Sequence, residues 1–583
     1  MFNRNGELIG KKFMQYLFST ILMSMALSLG TIVDGVLASN FLGTDALGAI
    51  NTCQPIILIF GAIYSVFGAG GSTMAATALG QGERKDADYY FTMAMGMLVF
   101  FGILVTVIGT VFMEPMIGLT TSGSSLGPMA EEYLSVFVYG AILFFVVPGF
   151  SFFIRTDGKP GLAAMVLVIA NVVNLCCDVL FMSVLKLGIR GAALASLTGY
   201  FVGLFVAIPY LTSKNRSLHF RWKGISLSYL GEIFICGLPN AINSVLMTIK
   251  MTVLNRTAIS TLGNNGAGAV AICNNCLSFA SIFIGGAAQT MLPIIGVLYG
   301  EKDQKGMAAA VKKALQIVLA AGLIMIVLFE LFPVSISRLF NVQTPDLMKI
   351  STLAIRLFGL SLPVYAVVYV FMSYYQATAK RKLAIAITCC EGVIFIVPFI
   401  LILNELFPAN GVGIWSSFIC SEVCTLVMIL IASRRIADKT NVKGILLMDV
   451  EEDVLLDISI KTKIEEASAI SQKVIEFCTE NGMEKKRADI AGLAVEEMAA
   501  NTILYGYKNK ANEYIDILVR IQKSGTIIRI RDNGIPFNPL DYNPAGNGDD
   551  IEYQIGGINI LKKMVTSSEY SRALGFNNLI IKI

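Results

Sequence analysis

Charge is scarce in this chain. Only 15% of its 583 residues are Asp, Glu, Lys or Arg, 55% are hydrophobic, and the mean hydropathy is +0.68. An ordinary soluble domain carries roughly 25% charged residues, so a typical cytosolic enzyme is excluded. The apolar content excludes a disordered or collagen-like chain in spite of 53 glycines. Histidine is scarcer still: His219 stands alone, in a basic loop where a solvated side chain is the plain reading. Of eleven cysteines only Cys478 lies in polar sequence. Cys273 and Cys276 have C-x-x-C spacing but no second pair of ligands, so core packing is their default role. No G-x-x-x-x-G-K-[ST] loop occurs. A cleavable leader is not evident either, because the apolar segment after Lys12 is too long and runs into others.

The charges that are present are unevenly placed. The last 147 residues hold 18 basic and 22 acidic side chains, against 27 and 19 in the first 436. A charge-poor basic part and a normally charged acidic part imply two solvents, lipid and water. In the first part, apolar windows long enough to cross about 30 Å of hydrocarbon recur between short loops. They fall near 13–37, 50–77, 90–113, 133–154, 160–184, 190–211, 229–252, 267–297, 311–333, 353–376, 383–404 and 410–433. Alternate loops are basic, carrying for instance Lys11 and Lys12, Arg84 and Lys85, Arg155 and Lys159, Arg216 and Arg221, and Lys380 to Lys382. Positive loops stay inside. This predicts a multi-pass protein of the inner (plasma) membrane with both termini in the cytoplasm.

The twelve spans repeat. DGVLASNFLGTDALGAI from Asp34 is echoed by NRTAISTLGNNGAGAVAI from Asn255, and LGQGERKDAD by LYGEKDQKG, at an offset near 220 residues (Gly43 and Gly263, Gly82 and Gly300). Six spans per unit is an even number, so the halves run parallel about an axis along the membrane normal. The expected lobes are 1–225 and 226–436. Such paired halves usually enclose a cavity opening alternately to either side, which points to a transporter.

Acids within spans are costly and therefore functional candidates. Asp34 lies late in the first span. Asn174 and Asp178 lie in the fifth, four residues apart and so on one helical face. Two carboxylates and an amide oxygen meeting there suit either Na⁺, through hard oxygen ligands, or a proton, because like charge raises one pKa; interhelical hydrogen bonding is the structural alternative. On VDGVLASNFLGTDALGAI followed by Pro55, the FIRTDGKP loop and NVVNLCCD, residues 10 to about 436 resemble the multidrug and toxic compound extrusion (MATE) family. The resemblance implies that Asp34, Asn174 and Asp178 form the cation site, and that small organic, often cationic, molecules leave in exchange for Na⁺ or H⁺. The seventh span offers Asn240, Asn243 and Lys250 where some members have an acid. Glu391 and Glu422, in the last two spans, are possible substitutes. Met23 and Met25 suit an adaptable cavity.

After a linker over 437–448 the pattern becomes mixed α and β. DVEEDVLLDISI reads as a strand, IEEASAISQKVIEFCTENG and ADIAGLAVEEMAANTILYGY as helices, EYIDILVRIQKSGTIIRIRDNG as a hairpin, and LGFNNLIIKI as a last strand. Helices on one face of a largely antiparallel sheet make an α+β sandwich. Glu497 and Asn501 sit at i, i+4; an amide oxygen there can hold Mg²⁺ and the carboxylate can orient or deprotonate a nucleophile. Asp532 ends a strand before Gly534 and can accept from an adenine amino group. Gly556 and Gly557 open a helix whose free N–H groups can receive phosphate. In this order and spacing the stretches resemble the ATP-binding fold shared by histidine kinases, gyrase, Hsp90 and MutL (the GHKL fold), and most of all the anti-sigma-factor serine kinases, over 449–583. That resemblance assigns Glu497 as general base, Asn501 as ligand of Mg²⁺ with ATP, Asp532 as adenine contact, and Gly534, Gly556 and Gly557 as points of close nucleotide approach. The usual G-G-x-G is shortened to Gly556-Gly557-Ile558, and Tyr505 stands where relatives often have His. A histidine autokinase needs a phosphoacceptor His before the ATPase domain, and none exists.

The sequence thus predicts a cation-coupled exporter in the lipid bilayer with a cytosolic nucleotide-binding regulatory domain. A cytosolic protein partner at that domain is expected and nucleic acid is not. Two alternatives stand beside it: a membrane-tethered anti-sigma-like serine kinase or switch whose bundle senses a ligand, and a flippase for lipid-linked precursors.

Overall fold

The computed structural model describes residues 4–42, 44–121, 127–213, 216–340, 342, 344–378, 380–449, 454–508, 512–522, 525–538, 540 and 564–583; a number of side chains between 27 and 55, and a few elsewhere, lie outside the description. In hydrocarbon every backbone polar group needs an internal partner, and long helices supply it. The first half runs α1 (Glu7–Leu42), α2 (Thr44–Gln81), α3 (Arg84–Val111), α4 (Met113–Thr121), α5 (Gly127–Tyr139), α6 (Ala141–Thr156), α7 (Pro160–Asp178) and α8 (Ile189–Thr212). The second runs α9 (Ser228–Leu262), α10 (Asn264–Gly300), α11 (Gln304–Leu331), α12 (Pro333–Leu339), α13 (Pro345–Gly359), α14 (Leu362–Ala377), α15 (Arg381–Cys389), α16 (Ile396–Leu406) and α17 (Val412–Lys439).

The repeat read from sequence is present element by element. Glu7 and Ser228, Thr44 and Asn264, and Arg84 and Gln304 open corresponding helices. Among the described residues nine helices are long and apolar enough to span a membrane, and the bent pairs α5–α6 and α13–α14 make two more. Those pairs bend by 57° and 44° and are the fourth and tenth spans. The expected first span lies within α1. The fifth and eleventh spans each contain a π-helical turn, Val179–Val184 directly after α7 and Cys390–Ile394 directly after α15; such turns mark functional positions more often than chance.

The halves meet backbone to backbone at one end. A Cβ on Gly80 of α2 would lie 2.1 Å from the Val297 carbonyl oxygen of α10, and a Cβ on Gly300 would lie 2.1 Å from that of Thr77. Only glycine permits this approach, which shuts the bundle at that end.

Against the same end sits the C-terminal domain. A short hairpin, β1 (Val442–Lys443) with β2 (Met448–Asp449), precedes a five-stranded sheet of β3 (Val454–Lys461), β4 (Tyr514–Gln522), β5 (Gly525–Asp532), β6 (Ser567–Ala573) and β7 (Phe576–Lys582). Its order is β3-β4-β5-β7-β6, antiparallel throughout. Period-two alternation gives it two unlike faces. Ile458, Ile460, Ile515, Ile517, Ile528 and Ile530 pack beneath α18 (Ile464–Glu480) and α19 (Lys485–Asn501). The opposite face carries Asp457, Ser459, Asp516, Arg529 and Arg531, side by side across the strands: Ser459 pairs with Asp516, and Asp516 with Arg531.

Candidate functional site

In the first half, Asp178 is fully buried at the end of α7 and Asn174, one turn earlier, is nearly so. The Asn174 amide nitrogen donates to Ser196 Oγ of α8 at 3.2 Å. α1 lies alongside: a Cβ on Gly30 would meet the Asn171 side-chain oxygen at 2.2 Å. Asp34 follows Gly30 by one turn on the same face of α1, as Asn174 and Asp178 follow Asn171 on α7. The Asp34 side chain itself lies outside the described residues. A buried acid beside a buried amide, between three packed helices, is an arrangement that can take up one cation or one proton.

In the second half the charges are differently disposed. Lys250 of α9 donates to Glu391 Oε1 of the Cys390–Ile394 turn at 2.7 Å, and both are largely buried. Glu422 of α17 is buried beside them. Sequence reading named all three but had no means of joining them, since Lys250 and Glu391 stand 141 residues apart.

In the C-terminal domain Glu497 and Asn501 lie one turn apart at the end of α19. The Asn501 amide nitrogen donates to the Glu497 carbonyl at 2.6 Å, which leaves the amide oxygen as the end for a hard cation. Burial, with Glu496 adjacent, raises the Glu497 carboxyl above its ordinary value. Asp532 is buried at the end of β5, where Oδ1 accepts from Gly534 N at 2.7 Å and from the Asn577 amide at 2.8 Å. Burial pushes its pKa up to about 6, against the lowering effect of those two hydrogen bonds. A Cβ on Gly534 would lie 2.6 Å from the Gly506 carbonyl oxygen, and Ile535 N donates to that oxygen at 3.0 Å. Asn533 N donates to Tyr507 Oη at 2.9 Å. The D-N-G-x-P loop is thereby stitched to the turn after α19, so Glu497, Asn501 and Asp532 belong to one corner. These side chains fit Mg²⁺ with ATP: a buried acceptor for the base, an amide oxygen for the metal, a glycine for close approach. Gly556 and Gly557 lie outside the described residues. Sequence reading missed Asn577, whose only signal was an Asn pair opening the last strand.

The structure adds a docking surface that sequence reading did not foresee. The charged sheet face is buried against the shut end of the bundle. Arg4, ahead of α1, pairs with Asp303 at 3.0 Å, Asp457 at 2.8 Å and Asp516 at 3.0 Å, its side chain 3% exposed. Asp303, in the turn between α10 and α11, also pairs with Arg529 and Arg531, and Glu301 pairs with both. Desolvation would raise the Asp303 carboxyl; Arg4, Arg531 and Arg529 overcome it and hold the group well below the usual range. The β6–β7 turn reaches the first half. Tyr16 Oη donates to the Leu574 carbonyl at 3.1 Å, Ser217 Oγ to that of Arg572 at 3.1 Å, and Arg84 to that of Tyr570 at 2.8 Å. Leu574 and Phe576 join the core of the bundle, and the domain therefore touches both repeats.

Two parallel repeats that close on each other at one end, with an acid buried inside a lobe, are the architecture of a membrane transporter. Similarity to known proteins makes this specific. The MatE family model matches residues 19–180 and 239–401, one stretch in each repeat, and a histidine kinase-like ATPase domain matches residues 460–583. The chain belongs to the MatE family and is a multi-pass membrane protein with a histidine kinase-like ATPase domain at its C-terminal end. The multidrug export protein MepA of Staphylococcus haemolyticus (strain JCSC1435) is 27% identical over 422 residues, covering 70% of this chain and 91% of that protein. MepA of Staphylococcus aureus (strain MRSA252) is 24% identical over 424 residues, with the same coverage. Among solved structures, a multidrug resistance MATE family transporter of the MOP superfamily in an outward-facing conformation superposes with a TM-score of 0.68 at 22% identity, covering 76% of this chain and all of that one. A MOP superfamily transporter from Pyrococcus furiosus gives 0.69 at 20% identity, covering 75% and 99%. At those identities the structural likeness establishes the fold.

Proposed function

We propose that this protein exports small organic molecules, cationic or drug-like, in exchange for inward Na⁺ or H⁺, and that its C-terminal domain binds ATP with Mg²⁺ and regulates the exchange. The observation that carries the first part is the burial of Asp178, with Asn174 one turn away, inside one lobe of a MatE bundle. A carboxylate buried so deeply is suited to bind a cation or a proton, and binding either one at a site reached alternately from two sides couples its gradient to transport. Asp34 completes this site on the reading proposed here. Energy comes from the gradient, since no Walker-type loop is present to power translocation with ATP. On this reading the lobes are 1–225 and 226–436, and the basic loops support a cytoplasmic position for both termini and for the domain over 449–583.

The regulatory part is supported by the docking surface. A domain that touches both repeats where they are shut favours that state as long as it stays docked, so a nucleotide or a cytosolic protein that alters docking alters the opening of the bundle. Docking at this end supports the regulatory reading over a tethered serine kinase, which has no need to bridge the repeats. The test is efflux from vesicles with imposed Na⁺ or pH gradients. Asp178→Asn should abolish efflux, whereas Asp532→Asn should leave the unregulated rate and remove its response to ATP. Undiminished efflux after Asp34→Asn and Asp178→Asn together would refute the coupling site, and failure of the intact protein to bind ATP with Mg²⁺ would refute the regulatory part.

A further inference from the structure

The second half encloses a cavity of about 330 Å³ bounded by α9, α10, α13, α14, α17 and the Cys390–Ile394 turn. Glu422 faces it from α17. The residue is 5% exposed, and its Oε2 has no hydrogen-bond partner among the described residues. The titratable groups around it are Lys250 from α9, Glu391 from the π-turn, and Tyr365 and Tyr369 from α14; the polar side chains that α10 adds, Ser278, Ser281 and Gln289, are all neutral. Lys250 is already hydrogen-bonded to Glu391. With all three charged groups ionised the cluster holds one negative charge too many, away from water, which is unfavourable until a positive charge is taken up. A bare metal cation would have to enter beside the Lys250 ammonium, which repels it, and would need several oxygen ligands. A proton needs one carboxylate.

We infer that Glu422 is a proton-binding site of the second lobe, separate from Asp178, whose occupancy is set by the Lys250–Glu391 pair. When Glu422 releases its proton to water in the cavity, the Lys250 ammonium is shared between two carboxylates; when Glu422 takes the proton back, Lys250 returns to Glu391 alone. The site stands whichever cation the first lobe couples, and it gives the exchanger a proton-dependent step in its second lobe.

Infrared difference spectra of the full-length protein in lipid nanodiscs, recorded across a pH titration, test this directly. The wild type should show a protonated-carboxyl band that disappears as pH rises. Glu422→Gln should remove it, and Glu422→Asp should restore a band at a shifted position. Lys250→Met should move the midpoint upward by at least one pH unit, because the proton then faces no competing ammonium. A Glu422→Gln spectrum identical to wild type, or displacement of the proton by Na⁺ at constant pH, would overturn the assignment. Since the spectrum reads Glu422 without transport, failure here and failure of the exchange reading are separately visible.

Discussion

Arg4 is the residue on which docking of the C-terminal domain most depends. Its guanidinium, 3% exposed, meets three carboxylates within 3.0 Å, from the α10–α11 turn, β3 and β4. Arg4→Ala would leave these acids unequally served. Asp303 keeps Arg529 and Arg531, and Asp457 keeps Lys305 at 3.7 Å. Asp516 keeps the hydroxyl of Ser459, which donates to it at 2.7 Å, and the more distant charge of its cross-strand neighbour Arg531. Breaking a buried pair and stranding one charge costs about 3–5 kcal/mol. The surviving partners put this case at the lower end, about 3 kcal/mol, which lowers the ratio of docked to undocked domain by roughly 100-fold. Lys11 and Glu513 provide the assay, being partly exposed and 2.9 Å apart across the same interface. A zero-length carbodiimide cross-link between them, measured by mass spectrometry, should form readily in the wild type and fall sharply in Arg4→Ala. Asp516→Asn added to Arg4→Ala should recover part of the yield, because no acid is then stranded. An unchanged cross-link yield in Arg4→Ala would refute the claim that this charge cluster holds the domain in place.

Further outcomes are expected. Asp532 has its folded pKa raised from 3.8 to about 6, so the empty domain loses stability as pH rises through that interval, by roughly 3 kcal/mol at neutral pH. Thermal unfolding should accordingly show Asp532→Asn stabilising the domain at pH 7 and having little effect near pH 4. ATP binding should run the opposite way in the wild type, weakening as pH falls below about 6, because an adenine amino group needs the ionised acceptor; calorimetry across pH checks this. Gly80→Ala places a methyl group against a backbone oxygen, an overpacking cost of about 1–3 kcal/mol, and should shift the bundle toward opening at the docked end. Labelling of a cysteine introduced at Thr77 should then rise by about tenfold.

The transporter fold was legible because lipid makes it so. Apolar length reports spans directly, and the duplicated LGQGERKDAD and LYGEKDQKG turns fall where α2 and α10 end. The ATP-type corner was legible from local motifs, since Glu497 and Asn501 are one turn apart and Asp532 stands beside its glycine. Contacts distant in sequence were not legible. Nothing near Lys250 announces Glu391, and nothing near Arg4 announces Asp516. The polar alternation in DISI and RIRD reads equally well as a wet sheet face, whereas the structure buries it against a second set of charges. Strand β6 was missed for a related reason: its sequence, SSEYSRA, is polar because it is an edge strand whose Tyr570 carbonyl accepts from Arg84.

The most direct test of the account is substrate efflux driven by an imposed cation gradient in proteoliposomes without nucleotide. The wild type should export when a Na⁺ or H⁺ gradient is applied and stop when it is collapsed, and Asp178→Asn should be inactive under both gradients. Export that persists in Asp178→Asn, or that requires ATP in place of a gradient, would contradict it.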